Sequence, residues 1–142
     1  MAGEQLQRAV IGSLGIDGDR VVHVEDATGR VITSRSHPRF LGHKATLAAD
    51  GEPLVDARPW RSVEVRAEVE SIAGSGARLV RHDGAERFDV LPLLIATDGA
   101  IAAFGHDHRR LRPNIVIGGV DGLGERDWPG SRLRVGKVLI TD

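Results

Sequence analysis

Turn chemistry divides this chain into pieces so short that strands and brief helices are what it can build. Asp26 to Gly29, Asp50-Gly51 and Asp83-Gly84 each fall between short apolar runs, and eighteen glycines against 4% aromatic residues supply many further breaks. Asp followed closely by Gly between two apolar runs is a hairpin signal, because glycine accepts the positive φ of a tight turn. "RVVHVED" (20–26) and "ATGRVITSR" (27–35) therefore predict one strand pair. Strands near 44–48 and 53–56 predict a second, and "ARLVRHDG" a shorter strand ending at Asp83-Gly84. "RSVEVRAEVESI" sets Val63, Val65, Ala67 and Val69 against Glu64, Arg66, Glu68 and Glu70. That period-2 alternation predicts a strand with one wet face, and its β-branched residues weigh against a charged helix.

The pattern changes at "LPLLIATDGAIAAFGHDHRRL". The unbroken run Leu91 to Ala96 predicts a buried strand. Thr97 or Asp98 then caps a short helix carrying Ala100, Ile101 and Phe104 on one side, although two glycines weaken it. "NIVIGGV" predicts another buried strand, and "RLRVGKVLITD" an alternating one. The expected fold is mainly β, a mixed barrel or two packed sheets with one or two short helices, rather than a βαβ sandwich.

At 142 residues the chain predicts a single domain with a core of Val, Leu, Ile and Ala. Its 41% hydrophobic and 27% charged residues include no stretch long enough to span a bilayer. "MAGEQLQRAVIGS" lacks the apolar core of a secretory signal, so a cytoplasmic setting without membrane contact is expected. A formal net charge of −1 gives no overall pull toward nucleic acid, so any anion site must be local. The absence of cysteine removes disulfides and thiolate metal ligands.

Local cations are present. "RRLRPNIVIGG" (109–119) sets three arginines within four positions directly before a β-branched run. Pro113 fixes its own φ and pushes Arg112 toward an extended backbone, a stiff lead-in aiming a guanidinium and the Asn114 carboxamide. Arginine's planar paired donors match phosphate, and Asn114 both donates and accepts, so together they can hold a phosphorylated polar heterocycle. Composition alone gives a plainer reading, in which Arg109, Arg110 and Arg112 are solvated and pair with Asp107 or Asp121. Gly18-Asp19-Arg20 reads as a turn with a surface ion pair, or as a cation at a barrel mouth. Arg35 falls at the same end of the expected hairpin as Arg20. Thr97 and Asp98 can offer helix N-terminal amides to an anion, though Asp98 would repel it. His106-Asp107-His108 has metal-ligand spacing but needs further ligands, and a polar loop is the simpler reading. No metal ligand and no catalytic residue is assigned.

Taken in order, "GIDGDRVVHVEDATGRVITSRSHPRFL", "RFDVLPLLIATDGAIAAF", "RRLRPNIVIGG" and "GERDWPGSRLRVG" resemble the MOSC family, the domain type at the C-terminus of molybdenum cofactor sulfurases and in amidoxime-reducing enzymes. Arg20, Thr33, Arg35, Phe88, Asp89, Arg110, Arg112, Pro113, Asn114, Glu125, Trp128, Gly130 and Gly136 occupy family positions, with Leu111 where the family has phenylalanine.

The resemblance implies a mainly β, barrel-like MOSC-type fold over residues 1–142 whose pocket holds the anionic pyranopterin molybdenum cofactor (molybdopterin). It implies cofactor contacts at Arg20, Arg35, Thr97, Arg112, Pro113 and Asn114, and brings molybdenum-ion and pyridoxal phosphate binding as associated properties. A ligand-holding role needs Arg20, Arg112 and Asn114 to face one concave place. In a complete member, the metal would support reduction of N-hydroxylated compounds or sulfur transfer, with a redox protein partner. The family's first strand, Tyr-Pro-Val-Lys-Ser, and its C-terminal cysteine have no counterpart here, and their loss would leave edges open to homodimerisation. The alternative function is a non-catalytic module binding a phosphorylated ligand or a protein partner.

Overall fold

The computed structural model describes residues 1, 4–88, 91–106 and 111–141. They form two compact units, Met1–Ala9 with Asp17–Asp89, and Val10–Ile16 with Val90–Asp142. The fold is mostly β, and among the described residues no sheet closes into a barrel. No described helix is long and apolar enough to cross a membrane.

In chain order the strands are β1 (Ile11–Gly12), β2 (Gly15–Ile16), β3 (Val22–Glu25), β4 (Val31–Ile32), β5 (Ala45–Leu47), β6 (Pro53–Val55), β7 (Arg58–Pro59), β8 (Arg78–Arg81), β9 (Ile95–Thr97), β10 (Ile115–Ile117), β11 (Leu133–Val135) and β12 (Val138–Ile140). The helices are α1 (Val63–Ala73) and α2 (Asp98–Phe104).

The first unit contains both expected hairpins. β3 pairs antiparallel with β4 and with β8. At the β3–β4 turn, Asp26 Oδ1 accepts from the Thr28 and Arg30 amides at 2.8 and 3.0 Å, and Gly29 takes φ 85°. The aspartate satisfies the turn's amides, and the glycine makes the left-handed bend at no steric cost. The second meander, β5–β6–β7, adds a two-residue turn, Asp56-Ala57, with φ 49° and 62°.

The stretch read as an alternating strand is instead α1. Ser62 caps it, its hydroxyl accepting from the Val65 amide at 3.3 Å. The same valines that alternate at period 2 also place Val65, Val69 and Ile72 at i, i+4 and i+7, one stripe of a helix. That stripe packs among Val24, Phe40, Val55 and Trp60, while Val63 stays 79% exposed. A buried slot outweighs β-branched propensity, which amounts to only tenths of a kcal/mol per residue.

In the second unit, β1 and β2 form a hairpin that was not expected. β9 and β10 run parallel with the expected short helix, α2, between them, a βαβ crossover where a barrel or two packed sheets were expected. The buried strand expected from Leu91 is shorter: β9 starts at Ile95, and Leu91 and Leu94 are exposed. The final alternating strand is the hairpin β11–β12, turning at Gly136-Lys137. Thr97 caps α2, its hydroxyl accepting from the Ala100 amide at 2.9 Å. Gly99 sits inside α2 because a Cβ there would lie 2.2 Å from the Val120 and Gly122 carbonyl oxygens.

Candidate functional site

Arg20 and Arg35 belong to the first unit. Arg20 precedes β3 in a left-handed backbone, φ 56°. Its guanidinium lies 3.8 Å from the Asp19 carboxylate and 5.6 Å from the Phe88 ring centre, and about a third of the side chain stays open to solvent. Arg87, which the sequence reading passed over, stacks on the same ring at 4.3 Å. It also donates to the Asp19 and Gly84 carbonyls, both at 3.0 Å, fixing the loop that carries Arg20. Its adjacency to Phe88 was the signal that could have found it. Arg35 is exposed. Val24 faces Ile32 and Glu25 faces Val31, so the register sets Arg20 and Arg35 beyond the same end of the strand pair, as expected.

Thr97, Arg112, Pro113 and Asn114 belong to the second unit. Asn114 Oδ1 accepts from the Leu94 amide at 2.9 Å, and its own amide donates to the Leu94 carbonyl at 2.8 Å. Its carboxamide oxygen thereby lengthens the β9–β10 ladder by a rung. Arg112 is not extended, as the proline rule implied, but left-handed at φ 54°. With Pro113 fixed in φ and Asn114 tied to Leu94, the bend falls on the residue before them. The Arg112 side chain is exposed and makes no hydrogen bond or ion pair among the described residues, with Asp121 or any other carboxylate. Thr97 faces Ile117 and Ile95 faces Ile115, so Thr97 and Asn114 lie at opposite ends of the strand pair. Asp89, Asp107, His108, Arg109 and Arg110 lie outside the described residues, and with them the His106-Asp107-His108 metal reading and most of the arginine run.

Thr97, only 1% exposed, is the one buried polar side chain among the described residues. Beyond its capping bond, its hydroxyl donates to Glu125 Oε2 at 3.0 Å. The amides near the start of α2 do not await an anion. Asp98 does not repel one there but supplies the negative charge itself. Its carboxylate accepts from Gly119 at 2.6 Å, Val120 at 3.0 Å and Gly99 at 2.9 Å. Those bonds, chiefly from Gly119 and Val120, hold its pKa below the ordinary aspartate value.

Glu125 also borders a cleft of about 510 Å³ that the sequence reading missed. Ile95, Leu133 and Ile140 line its apolar part, and Trp128 and Arg132 stand with Glu125 around it. Two strand pairs and a 3-10 turn, Gly124–Asp127, bring these residues together across distances that local pattern cannot span.

Among the described residues, the first unit holds one cluster of metal-ligand type. Ligand atoms of His43, Asp56 and Glu68 lie within 4.8 Å of one another. Arg58 already closes it, donating to both Asp56 and Glu68, while His43 Nδ1 and the Lys44 amide each lie 2.8 Å from the Asp56 carboxylate. Those two contacts, the Lys44 amide first, depress the Asp56 pKa. A guanidinium occupies the place where a cation would neutralise these carboxylates, so the arrangement is an ion-pair network that ties the β6–β7 turn to α1. No known protein family, no curated protein and no solved structure matches this chain, so what it binds must be argued from its own residues.

Proposed function

We propose that this chain is a MOSC-type domain that holds an anionic, phosphate-bearing small molecule, for which the sequence pattern assigns Arg20 in the first unit and Arg112 in the second. The ligand favoured by the sequence pattern is the pyranopterin molybdenum cofactor, in a cytoplasmic, barrel-like domain. One observation carries this reading. Four residues other than glycine have a positive φ among the described residues: Arg20, Asp56, Ala57 and Arg112. Asp56 and Ala57 form a two-residue hairpin turn, which requires that backbone. The other two are the arginines assigned to the anion. A left-handed backbone costs an ordinary residue about 1–2 kcal/mol, and such strain accumulates where side-chain placement matters more than stability. Arg35 adds a cation at Arg20's end of the sheet, Pro113 stiffens the segment, and Asn114, tied to the Leu94 amide, anchors it.

The residues fit one end of such a ligand. Paired guanidinium donors suit phosphate, whereas the chain has no cysteine to offer sulfur to a metal, and the His43 cluster is closed by Arg58. The metal, when bound, would supply any redox or sulfur-transfer chemistry and would call for a redox protein partner. This chain's residues bind and orient. The missing thiolate equally favours a non-catalytic module for a phosphorylated ligand, and one experiment separates the two. The protein is expressed with abundant cofactor and analysed for molybdenum and pterin fluorescence, then titrated calorimetrically with inorganic pyrophosphate. Retained molybdenum and pterin support the cofactor reading; pyrophosphate binding alone supports the second. In either case Arg112→Ala weakens binding about tenfold, a loss of about 1.4 kcal/mol, and Arg66→Ala on α1 does not. Equal, negligible effects would return Arg112 to the solvated loop.

A further inference from the structure

The cleft of the second unit presents a carboxylate, an indole and a guanidinium around an apolar floor, and none of these groups serves the phosphate reading. We propose that it binds a small zwitterion, a dipeptide with apolar side chains, taking the ammonium at Glu125 and Trp128 and the carboxylate at Arg132. A 3-10 turn repeats every three residues, so Glu125 and Trp128 stand in one column. A carboxylate beside an aromatic face recognises an organic ammonium by charge and by cation–π attraction. Thr97, buried and fixed by its capping bond, donates to Glu125 Oε2 and holds that carboxylate in one orientation. The other oxygen, Oε1, has no partner among the described residues. Arg132 is exposed and likewise unpaired among them, with planar donors suited to a carboxylate.

The alternatives fail on charge. A purely anionic ligand meets Glu125, a purely cationic one meets Arg132, and an uncharged apolar one strips water from both with nothing in exchange. A molecule with opposite charges at its two ends and apolar side chains between them pairs with Glu125 and Arg132 and covers Ile95, Leu133 and Ile140. The cleft's roughly 510 Å³ also lies in the range that small molecules occupy.

Leucyl-phenylalanine is the probe, titrated by calorimetry and by tryptophan emission. Binding should saturate and shift the emission, and Trp128→Phe should abolish the shift while Trp60 remains. Arg132→Gln and Glu125→Gln should each weaken binding about tenfold, as should acetylating the amine and amidating the carboxylate of the probe. Glu125→Gln also disturbs the bond to Thr97, so Arg132→Gln, at an exposed position unpaired among the described residues, keeps the test decisive if the first variant unfolds. Absence of saturable binding, equal affinity for the blocked dipeptide, or unchanged affinity in Arg132→Gln would overturn the proposal. Arg112→Ala should leave the titration unaltered, so failure here is distinguishable from failure of the phosphate reading.

Discussion

The two units are held together by different forces. In the first, Val24, Phe40, Val55, Trp60, Val65, Val69 and Ala77 form a continuous buried cluster. In the second, Ala96 is the only buried hydrophobic side chain among the described residues, and Leu91, Leu94 and Val116 are exposed. Order there comes from polar ties: Asn114 to Leu94, Thr97 to Glu125, and Asp98 to the Gly119 and Val120 amides. Apolar burial is non-directional and insensitive to pH, whereas hydrogen bonds to a carboxylate depend on its charge. The second unit should therefore open more readily and answer to acid. Such low-stability segments are where ligand-binding elements are commonly found.

The largest effect should come from Val65→Ala. Val65 is fully buried, and removing two of its carbons from a packed core should cost about 2–3 kcal/mol. The denaturant midpoint reads the loss. Hydrogen exchange should locate it in α1, β3 and β8, with the Gly119 and Val120 amides keeping their protection. Val116→Ala, at a half-exposed position of β10, should cost less than about 1 kcal/mol. Equal losses for the two variants, or equal loss of protection in both units, would mean that the contrast in burial does not govern stability.

A gain of about 1 kcal/mol is expected from Ala57→Gly. Ala57 holds φ 62° in the second position of the β6–β7 turn, where a side chain is disfavoured by about 1–2 kcal/mol and glycine returns part of that through greater unfolded-state freedom. A higher midpoint with an unchanged slope checks it. Arg112→Gly relieves the same kind of strain in the second unit, and there the stability gain should come with weaker pyrophosphate binding. A gain with binding intact would separate the strain at Arg112 from any ligand.

Short-range chemistry was readable in the sequence and long-range placement was not. The hairpins at Asp26–Gly29 and Asp50-Gly51 follow from turn residues that act within four positions, and the Thr97 cap from a hydroxyl three residues before its amide. α1 was misread because Val65, Val69 and Ile72 satisfy a helical stripe within an alternating run, and the choice was made by Phe40 and Val55, distant in sequence. At the candidate site, residue types were legible at Arg20, Arg112 and Asn114. The left-handed backbones of Arg20 and Arg112 were not, because no glycine announces them. Glu125 appeared only as part of a family pattern, since its tie to Thr97 spans 28 residues.

The smallest effect is also the most local. Asp98 has a lowered pKa in the fold because the Gly119 and Val120 amides donate to its ionised form. A carboxyl depressed on folding stabilises fully above its unfolded pKa, and that contribution disappears as pH falls through the folded value. The loss therefore belongs below the ordinary aspartate value of 3.8, and neutral solution should show none of it. Asp26 and Asp56 in the first unit are depressed too, so a global acid midpoint cannot distinguish the units. Amide exchange can. Between neutral pH and acid, after correction for intrinsic rates, Gly119 and Val120 should lose protection while the amides of α1, held by packing, retain theirs. Asp98→Asn should remove that acid dependence and raise exchange at both amides already at neutral pH. If the α1 amides loosen in step with Gly119 and Val120, the polar ties of the second unit are not a separate stabilising system, and the carboxylate serves only to finish a helix.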